Sequence, residues 1–167
     1  MITMMTNLNL IVLGLGAVGS AMMAGLFFVF SNFTMTALSR IKTEAGISAM
    51  QSINITIINP WFMALFFGTT IGGLVVSVVA AMNWDHPASA WALGGGGVYL
   101  AGCFLVTTCF NVPLNNRLAA INPMDPASAE MWAEYVAKWV PWNHIRTLTA
   151  LSASAAYLLA IIKLNST

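Results

Sequence analysis

Four short segments carry side chains capable of chemistry in otherwise apolar surroundings. Ser31, Asn32, Thr34, Thr36 and Arg40 make up the first, and Asn54 and Asn59 the second. Asn111, Asn115, Asn116 and Arg117 make up the third, and Asn143, His144, Arg146 and Thr147 the fourth. Each borders a long apolar run. Polar groups at membrane depth are expensive unless paired or functional, so their gathering at the ends of such runs predicts a polar chamber. Histidine titrates near neutral pH, which suits His144 to general-base work. A structural, hydrogen-bonded histidine is the competing reading. Arg40, Arg117 or Arg146 could stabilise a developing oxyanion in a low-dielectric site. Asn111 and Asn115 lie four apart and share one helical face; they either line the chamber or cross-link helices. Between them, Pro113 lacks a donor and clashes with the Cys109 carbonyl, which predicts a kink and a carbonyl free for a ligand.

Other chemistries fit poorly. A bis-histidine haem needs two histidines within the membrane, and His86 sits beside Asp85 in a short loop as a surface residue. No carboxylate falls inside an apolar run, so neither a metal site nor a Ser-His-Asp triad is expected. The 11 methionines are scattered and read as packing residues. Cys103 and Cys109 lack Cys-x-x-Cys spacing and predict neither a disulfide nor a zinc site. Gly14-Leu15-Gly16-Ala17-Val18-Gly19 matches the dinucleotide fingerprint letter for letter. It lies inside an apolar run, however, and not between a strand and a helix in water. Its glycines read as helix-packing positions.

The elements that must hold these residues follow from composition. Of 167 residues, 59% are hydrophobic and 7% charged, with a mean hydropathy of +0.81. Soluble domains carry about 25% charged residues, so this chain cannot cover itself with water-facing charge. An ordinary soluble enzyme and a disordered chain are excluded. Six Lys and Arg with a net charge of +1 leave no basic stripe for nucleic acid. Four runs, near 8–30, 60–81, 90–110 and 145–162, can each cross roughly 30 Å of hydrocarbon. Their continuity means helices, since barrel strands would alternate. The predicted fold is all-α: one integral membrane four-helix bundle over residues 1–167, with the lipid bilayer as its first partner. Small residues four apart (Ala17, Ala21 and Gly25; Ala150 and Ser154; Ser152 and Ala156) predict close packing of the first and fourth spans. The first run has no Lys or Arg ahead of it and is too long for a cleavable signal peptide, so it reads as a retained helix.

The connections set orientation. Arg40 and Lys42 lie in the first, and Arg117, Lys138 and Arg146 in the third; residues 82–89 hold no basic residue, and Lys163 alone follows the fourth span. The positive-inside rule places that basic side in the cytoplasm and both termini opposite. Its loops are predicted to hold short helices. One falls within 44–58. The other, at about 126–139, starts at Asp125-Pro126 and sets Met131, Trp132, Tyr135, Val136, Trp139 and Val140 against Glu130, Glu134 and Lys138. It reads as an interfacial anchor or as a lid on the chamber. Asn59-Pro60 repeats the cap-plus-proline start for the second span.

Several of these residues form a recognisable pattern. Phe28-Val29-Phe30-Ser31-Asn32-Phe33 is followed by Arg40, then Met50-x-x-Ile53-Asn54 and Asn59-Pro60-x-Phe62. Asn111-Val112-Pro113-Leu114-Asn115 and Trp139-x-x-Trp142-Asn143-His144-x-Arg146-Thr147 come later. Together they resemble the DUF1772 family, which contains the fungal anthrone oxygenases and many uncharacterised bacterial members. The resemblance implies oxidation of an anthrone to an anthraquinone by dioxygen, with no flavin, metal or other cofactor. A base removes the acidic methylene proton, the electron-rich anion reacts with oxygen, and a peroxide collapses to the quinone. On this reading His144 is the base, and Asn111, Asn115 and Arg146 are donors to the oxyanion and carbonyl. Trp142 and Trp61 offer flat surfaces to the rings, with Asn143, Asn32, Arg40 and Asn59 completing the substrate site.

Two other functions compete with a membrane oxidoreductase acting on a lipophilic phenol or anthrone. One is a non-enzymatic subunit or assembly component of a larger membrane complex, in which the polar cluster is filled by its own hydrogen bonds. The other is a transporter or binding protein for a lipophile. A homo-oligomer or a larger membrane complex is the expected protein partner.

Overall fold

A computed structural model describes the backbone of residues 2–164 and the side chains of residues 9–164. Helix α1 runs through Ile2–Val29, a π-helical turn Phe30–Thr34, and Met35–Arg40. Helix α2 is Thr43–Thr56 and α3 is Pro60–Met82. Helix α4 joins Ser89–Tyr99 to Val112–Ala119 through two π segments, Leu100–Leu105 and Thr107–Asn111. Helix α5 is Ser128–Leu164. No strand occurs among the described residues. Helices α1, α3, α4 and α5 are each long and apolar enough to cross a membrane. Helix α5 packs on α1 and α4, and α3 packs on the same two from the other side, closing a four-membered ring.

Small residues set how closely these helices approach. On α1 the inner row is Leu13, Gly16, Ala17, Ser20, Ala24 and Phe27; Ala21 and Gly25 face outward. The expected Ala17-Ala21-Gly25 row therefore lies one helical step off the true seam. On α5, Ala150 and Ser154 are buried, and the Ser154 hydroxyl donates to the Ala17 carbonyl at 2.9 Å. Ser152, expected on a packing row, is exposed.

Tyr157 of α5 sits at the centre, fully buried. A Cβ on Gly16 would come within 3.2 Å of its ring, and one on Gly95 within 2.9 Å. A Cβ on Gly73 would come within 2.8 Å of its hydroxyl. Glycines on three helices thus make room for one large side chain on the fourth. Gly19 leaves similar room for Thr69, so Gly16 and Gly19 of the nucleotide-like string are helix-packing positions. Gly14 has open space beside it.

Below this core lies a second one. Met35, Ile47, Met50, Leu118, Trp132, Tyr135 and Trp139 are buried together where α2 closes against the ends of α1, α4 and the first half of α5. Gln51 fastens α2 in place, its amide donating to the carbonyls of Leu118 at 2.8 Å and Ile121 at 3.0 Å.

The amphipathic helix expected at 126–139 and the span expected at 145–162 are one helix, continuous through Pro141. A proline removes one donor and crowds one carbonyl, a local cost. Trp139, Asn143, Arg146 and Ala150 keep a single buried face across it, and that packing holds the axis together. The Asp125 carboxylate accepts from the Ala127 N–H at 2.9 Å, and the helix begins at Ser128.

Asn59 caps α3, its side-chain oxygen accepting from the N–H groups of Trp61 and Phe62, both at 3.1 Å, with Pro60 next. Asn59→Ala should cost about 1 kcal/mol. The thermal midpoint of the purified protein in detergent reads this, and Asn59→Asp should retain the wild-type value.

Candidate functional site

Between the two cores lies a layer of buried polar side chains. Arg146 is 5% exposed, yet no carboxylate is near it among the described residues. Its guanidinium donates to the Asn143 side-chain oxygen and, at 3.4 Å, to the Thr107 hydroxyl. It lies over the Phe27 ring at 4.2 Å from the centroid and over the Trp139 ring at 5.1 Å. Cation–π contacts are strongest when desolvated, so two aromatic faces replace the missing counter-charge. The Nε–H has no partner.

Asn143 links α5 to α1. Its amide donates to the Phe27 carbonyl at 2.6 Å and to the Ser31 hydroxyl. Asn111 and Asn115 link α4 to α5. The Asn111 amide donates to the Trp139 carbonyl at 3.3 Å, and the Asn115 oxygen accepts from the Tyr135 hydroxyl and the Trp139 indole, both at 2.9 Å. The Asn111 oxygen is buried and unpartnered, as is the Asn54 amide nitrogen.

Three π segments frame this layer. Phe30–Thr34 carries Ser31, Thr107–Asn111 carries Thr107 and Asn111, and Leu100–Leu105 stands one turn above. In α1 the Met35 N–H reaches back five residues to Phe30, and in α4 Val112 reaches back five to Thr107. Single-turn π distortions inside α-helices are rare and concentrate at functional sites. The irregularity expected from Pro113 takes this form.

The structure brings together Asn111, Asn115, Asn143 and Arg146. Trp142 stands beside them, stacked on Phe110 with centroids 3.7 Å apart. The other expected members stay outside. His144 is exposed, because one residue turns a helix by about 100° and Asn143 and Arg146 take the inner face. Asn32 and Arg40 are exposed on the outer side of α1. Asn59 is occupied as a helix cap, and Trp61 is 88% exposed. Arg146, counted as a loop charge when reading orientation, belongs to the interior.

Thr107, Phe27 and Ser31 join the layer without having been singled out as site residues. Tyr135 and Trp139 were visible only as members of an apolar stripe. The available signal was spacing: Trp139, Asn143 and Arg146 recur at four and three residues, the period of one helical face. Among the described residues no group of three His, Cys, Asp or Glu is placed to hold a metal ion.

The chain is therefore a multi-pass membrane protein whose buried cation is held by amides and aromatic rings. The family described as Anthrone oxygenase matches residues 61–156, more than half of the chain, including Asn111, Asn115, Asn143 and Arg146. The chain belongs to that family, the DUF1772 family. No curated protein and no solved structure matches it.

Proposed function

We propose that this protein oxidises a lipophilic anthrone or related phenol with dioxygen, using no cofactor. The observation that carries the reading is the buried Arg146 guanidinium with no carboxylate beside it. A lone cation in a low-dielectric site favours whatever anion binds next to it. An anthrone's enol tautomer is a phenol, and its anion spreads charge over three flat rings. Arg146 lowers the cost of forming that anion. The unpartnered Asn111 oxygen can accept the enol O–H, and the Trp139 and Trp142 faces suit the rings. The anion then reacts with oxygen at the ring carbon, and loss of water from the hydroperoxide leaves the quinone. One anthrone and one dioxygen give one anthraquinone and one water.

Family membership supports this chemistry at the level of the family. On this proposal the basic loop residues Arg40, Lys42, Arg117 and Lys138 face the cytoplasm, and both termini face the opposite side. A second reading has its own support: Asn115 and Asn143 are engaged by internal hydrogen bonds, as a purely structural cluster in a larger membrane assembly would require.

Oxygen uptake by the purified protein with anthrone separates the two. Catalysis predicts uptake and quinone formation in equal amounts, well above the spontaneous rate. An uptake no faster than the spontaneous rate across a panel of anthrones and quinols rejects it. His144→Ala should keep most of the activity, because the outer face of α5 is not where the cation lies. Loss of uptake in that variant would move the proton acceptor to the outside of the bundle.

A further inference from the structure

We propose that the groove between the end of α1 and the Pro141 region of α5 is the binding site for a flat, apolar molecule bearing one hydroxyl. The inference rests on the anion-stabilising reading of Arg146 and adds where its ligand sits. The groove encloses about 320 Å³ and is lined by Ser31, Thr36 and Ser39 from α1 and by Ala137, Val140 and Pro141 from α5. Small-molecule sites begin at about 300 Å³, which admits two or three fused rings.

Three features give it chemical character. Pro141 has no N–H, so the Ala137 carbonyl lacks its donor four residues on. Ala137 and Pro141 both line the groove, which therefore offers an acceptor to a ligand O–H. Ser31 belongs to both the groove and the buried layer, where its hydroxyl accepts from the Asn143 amide. Asn143 in turn accepts from Arg146. One serine and one amide thus separate an open groove from the buried cation. The π turn Phe30–Thr34 places Ser31 there. The groove also lies beside Arg40 and Lys138, at the basic end of the bundle, where a lipophile leaving the bilayer would meet it.

Binding can be read without turnover. The full chain is reconstituted in nanodiscs and titrated with 2-naphthol or naphthalene, following energy transfer from tryptophan to the bound arene. Wild-type protein should show saturable transfer to 2-naphthol at lower concentration than to naphthalene. Ala137→Phe fills the groove from α5 and should raise half-saturation at least tenfold. Thr36→Phe does so from α1, should the first variant fail to fold. Ser31→Ala should weaken 2-naphthol several-fold and leave naphthalene unchanged. Unchanged titrations in both Phe variants overturn the site. Equal binding of the two arenes, insensitive to Ser31→Ala, overturns hydroxyl recognition and leaves a slot for an acyl chain. The oxygen-uptake assay is independent, so the groove and the oxidase proposal fail separately.

Discussion

Arg146→Met abolishes oxygen uptake while leaving a folded protein of equal or greater stability. Removing one preorganised donor to a developing oxyanion typically costs 10²–10³-fold, about 2.7–4 kcal/mol. Arg146 is the buried cation of the layer, so the larger figure is expected. Stability moves the other way. A desolvated, unpaired charge costs several kcal/mol, and methionine fills a similar volume between Phe27 and Trp139 without it. The change leaves the Asn143 oxygen and the Thr107 hydroxyl without their donor, which offsets part of the gain. Arg146→Lys keeps the charge but cannot lie flat between two rings, so it should fall between wild type and methionine. The measurements are anthrone-dependent uptake and the thermal midpoint on the same preparations. A collapse of the midpoint in Arg146→Met, with activity lost only in proportion to unfolding, makes the arginine a structural residue.

Gly96→Ala should be the most damaging methyl group that can be added to the bundle. A Cβ there would lie 2.0 Å from the Ser77 hydroxyl and 2.5 Å from the Gly73 carbonyl oxygen. A side-chain hydroxyl can rotate away; a helix backbone cannot. Overpacking costs about 1–3 kcal/mol where neighbours can adjust, and here α3 and α4 must move apart, loosening the Tyr157 pocket they share. The adjacent Gly97→Ala meets nothing within 4 Å and replaces a poor helix former with the best, a change worth up to about 1 kcal/mol in water. Two neighbouring identical substitutions should thus shift the thermal midpoint in opposite directions. Similar midpoints for both would show that α3 and α4 do not approach as described.

The two halves of the molecule were unequally legible in its sequence. Continuous apolar runs specify membrane helices whatever their neighbours do, and Asn59-Pro60 specifies a helix start by local chemistry alone. The amides and guanidinium at the helix ends marked the depth of the buried layer. Which of them face inward depended on helical phase. His144 and Asn143 are adjacent in the chain and indistinguishable by composition, yet 100° of rotation sends one outward and the other to Phe27. The same shift misplaced Ala21 and Gly25. The second core was hidden because its parts come from four helices: the Trp132-Tyr135-Trp139 stripe looked like a membrane-surface face until α2 and the end of α4 closed on it. The π turns left no recognisable mark, since their winding answers to packing and not to local propensity.

Those widened turns carry a consequence for how the chain can vary. A π turn holds one more residue than the α turn it replaces. Deleting a single residue from Phe30–Thr34 or Thr107–Asn111 would let the helix rewind regularly and rotate everything beyond it by about 100°. Met35 and Leu118 would swing out of their core and lipid-facing side chains would swing in. At these places the chain should accept exchange of side chains far more readily than loss of one residue from its length.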